Sequence, residues 1–131
     1  MDRVEGLAQD SADARSVILV VEDEFLLRWP VCEYLRDSGF RVIEAASVGE
    51  AIAVLSSETR VDVVFSDINL ESQADGRELS KWLQAHRPKM PMLLTSGESP
   101  PAELTRVRPF IAKPYSLDEV ERRLLQMISQ S

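Results

Sequence analysis

The sequence predicts an α/β fold, a parallel sheet covered on both faces by helices. Three observations carry this. Short apolar runs recur between Val17 and Ala112, an amphipathic stretch of helical period separates each from the next, and no linker-like segment or internal repeat breaks the alternation. Parallel neighbours cannot be joined by tight turns, so each helix serves as a right-handed crossover. In sheets of this kind ligands collect outside the carboxyl ends of the strands. The residues at those ends are therefore where chemistry is expected.

Each element has its own signal. Val17-Ile18-Leu19-Val20-Val21 is continuously apolar, as a strand buried on both faces must be. The helical stretch after it places Leu26, Leu27, Val31, Tyr34 and Leu35 on one side, and Gly39 is suited to the left-handed position that ends it. Pro30 lies inside this stretch and is expected to kink it unless it falls near the first turn. Phe40-Arg41-Val42-Ile43 is the second strand. Ser47 and Glu50 form a capping box for a helix with Val48, Ala51, Ile52 and Leu55 on one face. Val61-Asp62-Val63-Val64-Phe65 is the third strand, and Asp75-Gly76 opens a helix carrying Leu79, Trp82 and Leu83. Pro91-Met92-Leu93-Leu94-Thr95 is the fourth strand, with Met90 and Met92 expected in the core. Only 13 residues separate Ser96 from Phe110, and they include Pro100, Pro101 and Pro109. The fourth helix must therefore be short or poorly formed. Phe110-Ile111-Ala112 is the fifth strand. Ser116 and Glu119 cap a last helix bearing Leu117, Val120, Leu124 and Ile128.

The 131 residues suit one domain. Residues 1–16 are polar and aperiodic and read as a loose tail, leaving residues 17–131 for the domain. Lysine and arginine number 15 against 22 acidic residues, a net charge of −7, which weighs against nucleic acid and anionic membranes as partners. A single cysteine cannot form an internal disulfide. No run approaches the roughly 20 apolar residues of a membrane helix, and the amino terminus lacks the apolar stretch of a signal peptide. A cytoplasmic domain is expected.

The strand ends carry Glu22-Asp23-Glu24, Ser66-Asp67, Ser96-Gly97-Glu98 and Lys113-Pro114. Solvated loops also carry acids, so any one of these is weak alone. Together they bring carboxylates, a hydroxyl and an ammonium to one end of the sheet. Crowded carboxylates repel unless a cation joins them, and a hard divalent ion suits oxygen donors. A carboxylate can attack phosphorus to give an acyl phosphate, which a hydroxyl and a lysine could then hold.

The segments VILVVEDE, VVFSDINL, MPMLLTSGE and PFIAKPY resemble those of response-regulator receiver domains. The resemblance covers Val17 to about Ile128 and implies a flavodoxin-like doubly wound sheet of five parallel strands in the order 2-1-3-4-5. It implies that Asp67 is phosphorylated by a sensor histidine kinase. It implies Mg²⁺, or alternatively Mn²⁺, on Asp23, Asp67 and the Asn69 carbonyl, with Glu22 reaching the ion mostly through water. Ser96 and Lys113 would contact the phosphoryl group, and Lys113 would precede a cis proline. Ser96 and Phe110 would form the switch, Tyr115 part of a partner surface, and Asn69 and Glu98 would tune hydrolysis. PFIAKPY nearly matches the motif of the "FAT GUY" receivers, often free-standing regulators, with Ala112 where the motif has phenylalanine. DINLESQADG places its Asp-Gly step one residue later than the commonest receivers do.

Only three residues follow Ile128, so no output domain is expected. Output would run through contact with a further protein, in a monomer or weak dimer, or the domain would drain or relay phosphoryl groups. Two other functions compete. A flavodoxin-like cofactor-binding domain would want a phosphate loop where Glu22-Asp23-Glu24 stands. A metal-dependent phosphohydrolase would want an acid where Asn69 stands. His86 is expected to cap the third helix, Cys32 to be a small core or boundary residue, and Trp29 and Trp82 to pack. Arg122 and Arg123 are expected on a solvated helix face.

Overall fold

The structure is a computed structural model that describes residues 15–70 and 75–130. Most of the expected amino-terminal tail, residues 1–14, lies outside the described residues. The strands are β1 Val17–Val21, β2 Arg41–Ala45, β3 Val63–Asp67, β4 Met92–Ser96 and β5 Phe110–Ala112. The helices are α1 Phe25–Asp37, α2 Val48–Ser56, α3 Gly76–His86, α4 Ala102–Thr105 and α5 Leu117–Gln130. All strands are parallel, in the order β2-β1-β3-β4-β5.

β1, β3 and β4 are buried at every position because helices cover both faces. On one face Ile18, Val20, Val63, Phe65 and Leu93 join Val31 and Leu35 of α1 and Val120 and Leu124 of α5. On the other, Leu19, Val21, Val64, Met92 and Leu94 join Ala51 and Leu55 of α2 and Leu79 and Leu83 of α3. Each such side chain contributes about 1.5–3 kcal/mol by leaving water. Truncating fully buried Leu93 to alanine would cost about 2–5 kcal/mol, because a cavity remains.

The caps follow the sequence. Gly39 takes φ 103°, a left-handed value that glycine adopts without steric cost. Ser47 Oγ accepts from Glu50 N at 3.1 Å while Glu50 Oε1 accepts from Ala46 N at 2.7 Å. Asp75 caps α3 through Arg77 N, and His86 Nδ1 lies 3.0 Å from Trp82 O with its ring stacked on Trp82. Met90, Met92 and Cys32 are buried.

Two expectations need correction. β2, β3 and β4 lie one or two residues later than the apolar runs suggest. Asp67 and Ser96 are therefore the last residues of their strands, not the first of the loops. Leu26 does not share the buried face of Val31 and Leu35, being 82% exposed, whereas Leu27 stands on the Val31 side at 43% exposure. At 100° per residue Leu26 points about 140° away from Val31, and Arg28 takes the inward place. α1 runs from Phe25 to Asp37 with Pro30 inside it. The fourth helix is short as expected, at four residues.

Candidate functional site

β1, β3 and β5 deliver their carboxyl ends to the same end of the sheet. Glu22 follows β1, Asp67 ends β3, and Lys113 follows β5. Glu22 and Asp67 are buried, at 6% and 5% exposure. The Lys113 ammonium joins them, pairing with Asp67 Oδ2 and standing 3.3 Å from Glu22 Oε1. Lys113-Pro114 is a cis peptide. Burial alone would lower the lysine's pKa, but the Asp67 and Glu22 carboxylates outweigh it and raise it. Burial also pushes the Glu22 carboxyl up to about 7; Asp67 and Asp23 add to the rise, against the Glu24 N–H and Lys113.

The remaining donors divide between that carboxylate and the Ser96 hydroxyl. Asn69 N donates to Asp67 Oδ1 at 2.8 Å, and the Asn69 amide donates to Ser96 Oγ at 2.9 Å. Glu98 N donates to the same hydroxyl at 3.0 Å. Asn69 thus links the β3 carboxylate to the β4 hydroxyl, while Asn69 and Glu98 themselves lie exposed at the rim. Phe110 is half-buried and packs on the α2/α3 side of the sheet. Tyr115 is half-buried as well, its ring edge-on to Phe65 at 5.7 Å. Arg122 pairs with Glu119 at 3.6 Å, and Arg123 reaches back to Phe110 O at 3.3 Å.

Two supporting residues escaped the sequence reading. Arg28 donates to Glu22 O at 2.7 Å and to Glu44 Oε1 at 2.9 Å, holding the β1 end against α1. A β-carbon on Gly76 would meet Asp67 O and the Ile68 α-carbon at 2.8 Å, so only hydrogen fits there. Gly76 N donates to Ile68 O at 2.9 Å, closing the start of α3 onto the end of β3. The Asp-Gly step at 75–76 was the visible signal; Arg28 had none, since an arginine among apolar residues reads as solvent-facing.

Among the described residues no three Asp, Glu, His or Cys side chains converge on one ion position. The donor set nonetheless suits a hard cation. Asp23, half-buried, hydrogen-bonds Glu22, and burial first, with Asp67 and Asp23 adding to it, raises the Glu22 pKa; a divalent ion would favour the charged carboxylates.

A parallel sheet that holds one carboxylate between an ammonium and an amide-linked hydroxyl defines a phosphoacceptor class of domain. The family described as the response regulator receiver domain matches residues 18–125, and the chain belongs to it. It is a receiver domain of the kind found in two-component response regulators. It is 35% identical over 114 residues to the regulatory protein VirG of Rhizobium rhizogenes, covering 82% of this chain and 46% of that protein. It spans less than half the length of the VirG proteins it matches. A response regulator receiver protein from Sinorhizobium medicae superposes with a TM-score of 0.80 at 25% identity, covering 88% of this chain and 96% of that one. The receiver domain of NtrX from Brucella abortus gives 0.79 at 28% identity, covering 87% and 99%. No described helix is long and apolar enough to cross a membrane.

Proposed function

We propose that Asp67 accepts a phosphoryl group from the phosphohistidine of a sensor kinase, and that the acyl phosphate changes a protein-binding surface or is passed on. The observation that carries this is the Lys113 ammonium paired to Asp67, with Asn69 linking that carboxylate to Ser96. A carboxylate oxygen of Asp67 attacks phosphorus. The P–N bond to the donor imidazole breaks, and the imidazole leaves with the bonding pair and takes up a proton. Lys113 and Ser96 then turn toward the new phosphoryl oxygens, whose added charge gives both groups contacts they lack before transfer. Asp23, Asp67 and the Asn69 carbonyl would hold Mg²⁺ or Mn²⁺, with Glu22 reaching it through water. When bound, such an ion neutralises developing phosphoryl charge. Asn69 and Glu98, at the rim, orient the water that later hydrolyses the acyl phosphate.

Ser96 moving inward leaves space for Phe110, which couples the site to residues 109–115. Phe110 has no hydroxyl to desolvate, so it can turn at low cost. Tyr115 contributes its exposed portion to the partner contact. The domain works in the cytoplasm, as a regulator of the PFxFKPY type. The test is intact mass after incubation with Mg²⁺ and acetyl phosphate. One phosphoryl group should appear on the native protein and none on Asp67→Asn. Full phosphorylation of that variant would remove the assignment.

A further inference from the structure

Asp67 has an in-register neighbour that the mechanism above does not use. Asp67 pairs with Thr95 across β3 and β4. Paired residues of parallel strands share a face, here the α1/α5 face, whereas Ser96 points to the other. Thr95 is buried at 2% exposure, and its Oγ1 has no hydrogen-bond partner among the described residues. A buried hydroxyl left unsatisfied costs about 1–3 kcal/mol, so native proteins seldom tolerate one.

Thr95 lines a cavity of about 10 Å³ shared with Glu22, Asp67 and Tyr115 and bounded by Phe65 and Val31. The volume is about one water probe. The polar lining can give a water its usual two to four bonds: Thr95 O–H donates to it, and it donates to the two carboxylates. Each carboxylate oxygen already bonded to Lys113, Asn69 N or Glu24 N keeps a second lone pair.

We propose that one buried water joins Thr95 Oγ1 to the Asp67 and Glu22 carboxylates from beneath, making Thr95 a positioning residue for phosphoryl transfer. The inference rests on Asp67 as the phosphoacceptor. Lys113 and Asn69 fix the Asp67 carboxylate on its open sides, and the water fixes the side facing the core. The acceptor then meets its donor in one orientation.

Thr95→Val keeps the shape and removes the hydroxyl; Thr95→Ser keeps the hydroxyl. The valine variant should slow phosphorylation by acetyl phosphate about fivefold, the worth of one hydrogen bond, and should lower Tm. The serine variant should restore the native rate. A crystal structure of the native protein at high resolution should show a water within hydrogen-bond distance of Thr95 Oγ1. The sign of the Tm change discriminates: without the water the hydroxyl is a liability, and valine raises Tm. A raised Tm, an unchanged rate, or density with no water there overturns the proposal. The density and the Tm need no phosphorylation, so they stand apart from any failure of Asp67 as acceptor.

Discussion

Two cations, half-buried Lys113 and buried Arg108, do different work at different ends of the β4–β5 region. Lys113 neutralises carboxylates, Asp67 and Glu22, and those partners raise its pKa. Arg108 is 9% exposed and, among the described residues, bonds only neutral oxygens: Ser80 Oγ at 3.0 Å, Met90 O at 3.2 Å and Ser80 O at 3.4 Å. Burial lowers its pKa with nothing to offset it. The contrast is one of exchangeable against fixed partners. A cation on carboxylates can be redirected when a phosphoryl group brings stronger acceptors. A cation on backbone and hydroxyl oxygens has nothing to gain by moving. Arg108 is a clamp: it ties the segment after α4 to α3 and to the turn before β4. α4 itself, at four residues, buries only Leu104 and cannot do this.

Breaking each cation should therefore fail in a different way. The largest expected effect is on Lys113→Met, which should slow acyl-phosphate formation, followed by intact mass, by about two orders of magnitude. Its stability should fall less than that of Arg108→Ala, because Glu22, raised to about 7, can take a proton and Asp67 keeps the Asn69 N–H donor. Arg108→Ala should do the reverse. Urea unfolding should show a loss of about 2–4 kcal/mol, and the phosphorylation rate of the folded protein should match the native one. Cys32 gives a second measure of that loss. Burial pushes its thiol up to about 12, so alkylation at pH 8 proceeds through unfolding and should quicken more in Arg108→Ala than in Lys113→Met. The smallest effect is on Ser80→Ala, which removes one acceptor of the clamp and should cost about 1 kcal/mol. If Lys113→Met lost as much stability as Arg108→Ala, the distinction between the two cations would collapse.

The sequence made the Lys113 end legible and the Arg108 end obscure, for a physical reason. Asp67, Ser96 and Lys113 stand at the ends of apolar runs, and a parallel sheet brings such ends together whatever the details of its loops. Three prolines in 13 residues likewise showed that α4 would be short. Arg108, between Val107 and Pro109, looks like any solvated arginine. Its burial depends on acceptors from Ser80 and Met90, 28 and 18 residues away, which no local pattern encodes. Leu26 shows the opposite error, an apolar residue read as core that the start of α1 leaves in water. Thr95 hid because a hydroxyl in an apolar run looks like ordinary strand composition; only the β3–β4 register sets it beside Asp67.

Gly76 has a consequence for how this chain tolerates change. Its N–H fastens it to Ile68 O, and its missing side chain lets α3 begin against the backbone of Asp67. The stretch from residue 69 to residue 75 thus leaves and returns at two points bolted together. A residue inserted there adds length between fixed ends without displacing the acceptor. This accounts for the Asp-Gly step standing one place later than in the commonest receivers while Asp67 keeps its bonds to Lys113 and Asn69. Loop length is free to drift at this place in the fold, and the single atom at position 76 is not.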